Sequence, residues 1–153
     1  MGTHDAVEVL ASIDLFAGLS PRALKKVAAS TESATFAAGA PVVSEGDSVS
    51  GFRTFSSSGV NMYIVVEGSA DVSVNGKAVG TLAPGAYFGE LSLIDGGPRS
   101  ADVVAGGDGL EAITLSNWAF EELLKHHPEV AVPMLKVLVE RLRRAEAAGN
   151  DAS

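Results

Sequence analysis

The sequence predicts a mainly β domain, a sandwich, jelly roll or barrel, with a helix before the strands and two helices after them. Between residues 31 and 115, short β-prone runs alternate with glycines. Asn75-Gly76 separates two of these runs and is a strong signal for a two-residue hairpin turn. On both sides of this region the apolar residues return to helical spacing.

The N-terminal helical part is expected over residues 8–30, with its clearest helix in "GLSPRALKKVAAS". Ser20 can cap that helix, and Pro21 suits its first position. Leu24 and Val27 then fall on one face. The β region follows over 31–115, with candidate strands at 31–36, 42–44, 63–67, 70–74, 78–82, 100–105 and 110–115.

The C-terminal helical part is expected over 116–147. Phe120, Leu123 and Leu124 form one apolar stripe, and Pro128 marks the start of a final helix over 128–147, before a polar tail. The final helix has two apolar faces. One face consists of Val130, Met134 and Val137, and one of the two faces would cap the β region. The other repeats at heptad-like spacing in Ala131, Leu135, Leu138, Leu142 and Ala145. This second face would either pair with a second chain or fold back on its own domain.

Composition limits the class of function. The length of 153 residues fits one domain spanning 1–153, and a net charge of −8 opposes direct DNA binding. The chain has no cysteine, no signal peptide and no apolar run long enough to span a membrane. We therefore expect a soluble, cytoplasmic protein.

The stretch "FGELSLIDGGPRS", residues 88–100, carries the candidate site. Gly89 permits a tight turn, and a short helical turn after it would expose the backbone N–H groups of Gly89, Leu91 and Ser92 to an anion. Arg99 offers a donor fork matched to phosphate oxygens, and Ser100 adds a hydroxyl.

Glu90 completes this candidate site because its carboxylate can accept a hydrogen bond from a sugar hydroxyl beside the phosphate. Taken singly, Glu90 is typical of an exposed first-turn residue and Arg99 of a solvated loop residue. Their conjunction with a glycine turn and apolar neighbours, in an acidic chain, favours a shared ligand.

The longer stretch "FGELSLIDGGPRSA" resembles the phosphate-binding cassette of cyclic nucleotide-binding domains, F-G-E-L-x-L, a spacer, then P-R-[AST]-A. "LASIDLFAGLS", "FAAGAPVVSEGD", "YIVVEGSADV" and "LAPGAYFGE" are similar to other parts of that family, so the resemblance covers nearly the whole chain. It implies a β-roll, or jelly-roll barrel, of about eight strands, with the cassette at residues 88–101.

The resemblance also implies a function. Arg99 would pair with a cyclic phosphate, Glu90 would accept the ribose 2'-hydroxyl, and Ser100 and the backbone N–H groups of Gly89, Leu91 and Ser92 would assist. The ligand would be cAMP or, less favoured, cGMP. The domain would have no cofactor and no enzymatic activity, and it would signal through its final helix to an unknown effector protein or a second copy.

Three features depart from the family pattern. Residues 48–61 form an unusually long connection containing Phe52, Arg53 and Phe55, which is either a flexible loop or a cover for the pocket or a partner. Ala145 and Glu146 stand where catabolite activators place hydroxyl groups that contact adenine. No winged helix-turn-helix follows the final helix in this sequence.

Two alternative classes of function are an interaction module and an enzyme. A degenerate domain of the same fold would act as a constitutive protein-interaction module without nucleotide binding. A metal-dependent jelly-roll enzyme would need histidines among its strands, whereas the histidines are His4, His126 and His127. The chain also has no G-x-S-x-G motif and no cysteine nucleophile.

Overall fold

The computed structural model describes residues 5–43, 61–89 and 101–151, with the side chains of residues 150 and 151 excepted. Three short helices open the fold: α1 (Ala6–Ala11), α2 (Asp14–Ala17) and α3 (Pro21–Ala29). The Ser20 hydroxyl accepts a hydrogen bond from the Ala23 N–H at 3.1 Å, which confirms the predicted cap of α3. The first helix has its own cap, because the Asp5 carboxylate accepts from the Val7 N–H.

Six antiparallel strands follow within the described residues. They are β1 (Glu32–Phe36), β2 (Pro41–Val43), β3 (Asn61–Val74), β4 (Lys77–Leu82), β5 (Tyr87–Phe88) and β6 (Asp102–Ser116). The strand order is β1-β6-β3-β4, with β2 paired to β6 and β5 paired to β3. The predicted fold class, mainly β with flanking helices, is confirmed, and in the described residues the sheet does not close on itself.

Four of the predicted strands are two long strands in the structure. The candidates 63–67 and 70–74 are both parts of β3, and 100–105 and 110–115 both contribute to β6, which begins at Asp102. Gly68 and Gly109 mark the joins and have positive φ angles of 82° and 81°. The register shifts around Gly68, so these glycines permit bulges rather than ending strands.

The Asn75-Gly76 hairpin is confirmed. Val74 pairs with Lys77, and the two residues between them have φ angles of 53° and 79°. Two consecutive positive φ angles are typical of a type I′ turn, whose twist matches that of the flanking strands. The dipeptide therefore joins β3 directly to β4.

Two helices follow the sheet, α4 (Asn117–His126) and α5 (Ala131–Asp151), separated by a 3₁₀ turn at Pro128–Val130. The Ser116 hydroxyl caps α4 by accepting from the Ala119 N–H at 3.1 Å. The predicted final helix thus begins as a 3₁₀ turn and continues past residue 147 to Asp151. Pro133 is the third residue of α5, where the helix has no hydrogen-bond partner for a backbone N–H.

The two faces of α5 differ in burial. Val130 and Met134 are buried and Val137 is half-buried against the helical core, so this face packs on its own domain. On the predicted heptad face Leu138 also packs against that core, whereas Leu135 and Leu142 are exposed. The exposed large side chains form what we call the α5 stripe: Val132, Leu135, Val139 and Leu142.

The alternation of β3 separates two hydrophobic clusters. Met62 and Ile64 join a cluster formed mainly by side chains from all five helices. Tyr63 and Val65 point to the opposite face and join a second cluster formed by the strands. This second cluster is the inner face of the roll, and the helices cover the outer face.

Candidate functional site

The candidate site begins at the inner face of the roll. Its buried side chains come from β3, β5 and β6: Tyr63, Val65, Ala70, Phe88, Val103, Ala105, Leu110 and Ala112. Further apolar side chains at its margin are only partly buried: Phe36, Val42, Val43, Val72 and Leu82. The described inner wall is therefore apolar, a surface on which a planar ligand group can pack.

Three aromatic rings meet on this inner face. The rings of Tyr63 and Phe88 stack with centroids 5.0 Å apart and planes 10° apart. Phe36 meets the Tyr63 ring edge-on at 6.1 Å. Tyr63 also pairs with Phe88 in the β3–β5 register. Such ring pairs contribute about 0.5–1.5 kcal/mol beyond their buried area, so they fix β5 against β3.

Gly89 directly follows this stacked pair. It is half-buried, with a φ angle of 86°, a conformation that residues with a Cβ rarely adopt. The chain therefore leaves β5 through a left-handed residue beside the apolar inner face. This conformation is one that a tight turn at Gly89 requires, and the residues that would complete the predicted turn lie outside the described part.

The C-terminal end of the cassette leads into β6, which pairs with β3. Ala101 is half-buried, and Asp102 begins β6 by pairing with Ser73 of β3. Phe88 pairs with Tyr63, near the opposite end of β3. Both ends of the cassette are therefore anchored on β3.

The sequence profile of the family described as "Cyclic nucleotide-binding domain" matches residues 34–127. The chain belongs to the cyclic nucleotide-binding domain family. The matched range includes the end of β1, all the later described strands and the whole cassette, which agrees with the resemblance noted in the sequence. Members of this family are ligand-binding regulatory domains.

Relatives of this cyclic nucleotide-binding domain occur in several kinds of protein. It is 33% identical over 141 residues to a cyclic nucleotide-gated potassium channel of Mesorhizobium japonicum, covering 92% of this chain and 36% of the channel. It is 35% identical over 123 residues to a cAMP-dependent protein kinase regulatory subunit of Mycosarcoma maydis, covering 75% and 22% respectively. It is 27% identical over 142 residues to a CRP-like cAMP-activated global transcriptional regulator of Mycobacterium tuberculosis, covering 90% and 58%. The chain thus spans less than two thirds of these relatives.

Solved structures show the same fold. The N-terminal domain of a transcriptional regulator from Streptomyces coelicolor A3(2) matches with a TM-score of 0.77 and 29% identity, covering 92% of this chain and 94% of that chain. The regulatory domain of Toxoplasma gondii PKA, co-crystallised with cAMP, matches with a TM-score of 0.69 and 27% identity, covering 91% and 49%.

Of the predicted site residues of this cyclic nucleotide-binding domain, Gly89 lies in the described part. The others lie outside the described residues: Glu90, Leu91, Ser92, Arg99 and Ser100. Of the long connection at 48–61, Asn61 alone is described, as the first residue of β3. Ala145 and Glu146 are exposed on α5.

Sequence reasoning missed the aromatic set on the inner face. Phe36 closes β1, and Tyr63 lies in an unbroken apolar run where alternation alone does not show which side faces inward. It also missed β5, whose two residues are too few for a strand pattern. The pairing of Tyr87 and Phe88 with β3 is a tertiary feature that local sequence does not encode.

The two described histidines of this domain lie away from the inner face. His126 and His127 line a cleft of about 410 Å³ between α3 and α4, together with Lys26, Ser30 and Glu122. His126 Nε2 lies 3.3 Å from a Glu122 carboxylate oxygen. Within residues 5–43, 61–89 and 101–151 no group of three or more potential metal-ligating side chains occurs. No described helix is long and apolar enough to cross a membrane.

Proposed function

We propose that this domain is a regulatory sensor that binds a cyclic nucleoside monophosphate, cAMP in preference to cGMP, and signals through α5 to an effector protein or a second copy. The observation that carries the proposal is the left-handed Gly89 at the start of the cassette motif, next to the apolar inner face. We place the protein in the cytoplasm and assign it no catalytic step.

Each part of the ligand has a matching group. Arg99 pairs with the cyclic phosphate, and Ser100 and the N–H groups of Gly89, Leu91 and Ser92 add donors. Glu90 accepts the ribose 2'-hydroxyl. The purine packs on the apolar inner face of the roll. In a chain of net charge −8, this concentration of donors is what attracts an anion locally.

The preference for cAMP is supported by the names of the relatives. The similar kinase regulatory subunit and the similar transcriptional regulator are both described as cAMP-dependent or cAMP-activated. Ser100 is compatible with either nucleotide, since its hydroxyl can contact the phosphate or a guanine. Direct comparison of cAMP and cGMP binding therefore tests the base preference.

The α5 stripe supports signalling through α5. Val132, Leu135, Val139 and Leu142 follow each other at spacings of three, four and three residues, the heptad spacing of a two-helix seam. Their exposed fractions lie between 47% and 59%, which leaves a continuous apolar row facing solvent. We propose that a second copy of α5 covers this row.

Thermal unfolding tests nucleotide binding. At 100 times its Kd, a ligand that binds only the folded state adds about 2.7 kcal/mol, so cAMP should raise the Tm by roughly 5–10 °C. Arg99→Ala should remove most of that rise, and Arg143→Ala, at an exposed position on α5, should keep it. No Tm shift of the unmodified protein at millimolar nucleotide would overturn the proposal and favour the constitutive interaction module.

A further inference from the structure

Three side chains from distant parts of the chain meet outside the roll, and we call them the Asp14 cluster: Asp14, Tyr87 and Arg141. The Tyr87 hydroxyl donates a hydrogen bond to Asp14 Oδ1. A guanidinium nitrogen of Arg141 lies 3.4 Å from the same oxygen. The Arg141 guanidinium carbon also lies 5.3 Å from the centroid of the Tyr87 ring, a cation–π contact.

Tyr87 connects this cluster to the cassette. It occupies one of the two positions of β5, and its neighbour Phe88 stacks on Tyr63 on the inner face. Side chains of adjacent strand residues point to opposite faces, so one dipeptide joins the inner wall to the helices outside. Gly89, the first turn residue of the cassette, follows immediately.

Arg141 connects the cluster to the far half of α5. Beyond Leu138, which packs on the helical core, Arg141 is half-buried and every other described side chain up to Gly149 is exposed. The Arg141 side chain is 27% exposed. In the described residues it is therefore the last side chain of α5 that the body of the domain covers.

We propose that Asp14 and Arg141 are positioning residues for the cassette: they hold Tyr87, fix the backbone of β5 where the cassette begins, and couple nucleotide affinity to the docking of α5. This inference rests on the proposed function. A chain segment already held in its binding geometry loses less conformational entropy when the ligand binds. Because the coupling is reciprocal, bound nucleotide strengthens the docking of α5 by the same factor.

The three contacts predict a specific pattern of mutational effects. Asp14 is 54% exposed, so its ion pair with Arg141 is screened by solvent and is weak alone. The hydroxyl of Tyr87 and the guanidinium of Arg141 share one carboxylate oxygen. Removing either group weakens the contact that holds the other group in place. The double variant should therefore lose less cAMP affinity than the product of the fold-losses of the two single variants.

The experiment measures cAMP affinity by isothermal titration of the full chain and its Tyr87→Phe, Arg141→Gln and doubly substituted variants. Each single variant should bind cAMP about fivefold more weakly, the lower end of typical coupling between sites. Tyr87→Phe keeps the ring and removes only the hydroxyl. Arg143→Gln, a neighbouring exposed position on α5, is the matched control and should bind like the unmodified protein.

Hydrogen exchange of α5 gives a readout that a general loss of stability would not reproduce. In the unmodified protein and in Arg143→Gln, cAMP should slow exchange of the amides between residues 139 and 149. In Tyr87→Phe and Arg141→Gln this protection should be largely lost, while exchange in β3 and β6 is unchanged.

The outcomes separate this inference from the proposed function. If the unmodified protein binds cAMP and the variants match it in affinity and in α5 protection, the positioning role is wrong and the proposed function stands. If the unmodified protein binds neither cAMP nor cGMP, the proposed function is wrong and this inference is overturned with it.

Discussion

At the scale of single residues, Gly68 lies against the backbone of the neighbouring strand β6. A Cβ added at Gly68 would lie 2.1 Å from the carbonyl oxygen of Gly109, and the φ angle of 82° already disfavours any side chain there. The long strands β3 and β6 can bend past each other at this point because neither glycine has a side chain.

Substitution at this contact should therefore be costly. Gly68→Ala should lower the free energy of unfolding by about 3 kcal/mol or more, since strain at positive φ adds to the overlap with a backbone atom. Gly80→Ala is the matched control, because Gly80 lies in β4 with open space around its Cβ position and no positive φ. Urea unfolding of both variants measures the difference, and equal stability of the two would contradict the packing described here.

A second prediction at the residue scale concerns Gly89 and the affinity for cAMP. Gly89 lies at the start of the cassette and has a φ angle of 86°. Gly89→Ala should strain the backbone there by about 1–3 kcal/mol. By disturbing the turn, this substitution should weaken cAMP binding more than tenfold. Isothermal titration measures the affinity. Gly39→Ala, another positive-φ glycine whose Cβ position is open, controls for backbone strain and should leave the affinity unchanged.

At the scale of elements, sequence signals were reliable where a local interaction decides the structure. Ser20 and Ser116 cap α3 and α4 through their own hydroxyls, and Asn75-Gly76 forms its turn without distant partners. Residues 68–69 and 106–109 were predicted to separate strands, whereas β3 and β6 run through them, because whether a glycine makes a turn or a bulge depends on the neighbouring strand. The length of α5 was underestimated because the helix continues through Gly149 and Asn150, residue types that usually end a helix.

The α5 stripe yields the prediction that belongs to this scale. If a second copy covers it, multi-angle light scattering should show a dimer, and Leu135→Glu should shift the protein to a monomer by placing a charge in the seam. Ala148→Glu is a control with the same added charge at an exposed position outside the stripe. A monomer at high concentration, both with and without cAMP, would contradict pairing through α5.

At the scale of the whole molecule, the two hydrophobic clusters have different roles in the fold. One cluster attaches all five helices to the outer face of the sheet, and the other lines the inner face where the cassette begins and ends. The cassette motif was recognisable from sequence because its residues follow the pattern of the family. The Asp14 cluster was not, since Tyr87 and Arg141 lie 73 and 127 residues from Asp14 in the sequence and meet it only in the folded chain.

Direct titration tests the central claim, that this domain selects a cyclic nucleotide. Isothermal titration compares cAMP with cGMP, which has the same cyclic phosphate but another base, and with 5'-AMP, which has the same base but no cyclic phosphate. The account predicts tightest binding of cAMP, weaker binding of cGMP and at least about 100-fold weaker binding of 5'-AMP, a difference of about 2.7 kcal/mol. Equal binding of cAMP and 5'-AMP, or no binding of any of the three, would contradict it.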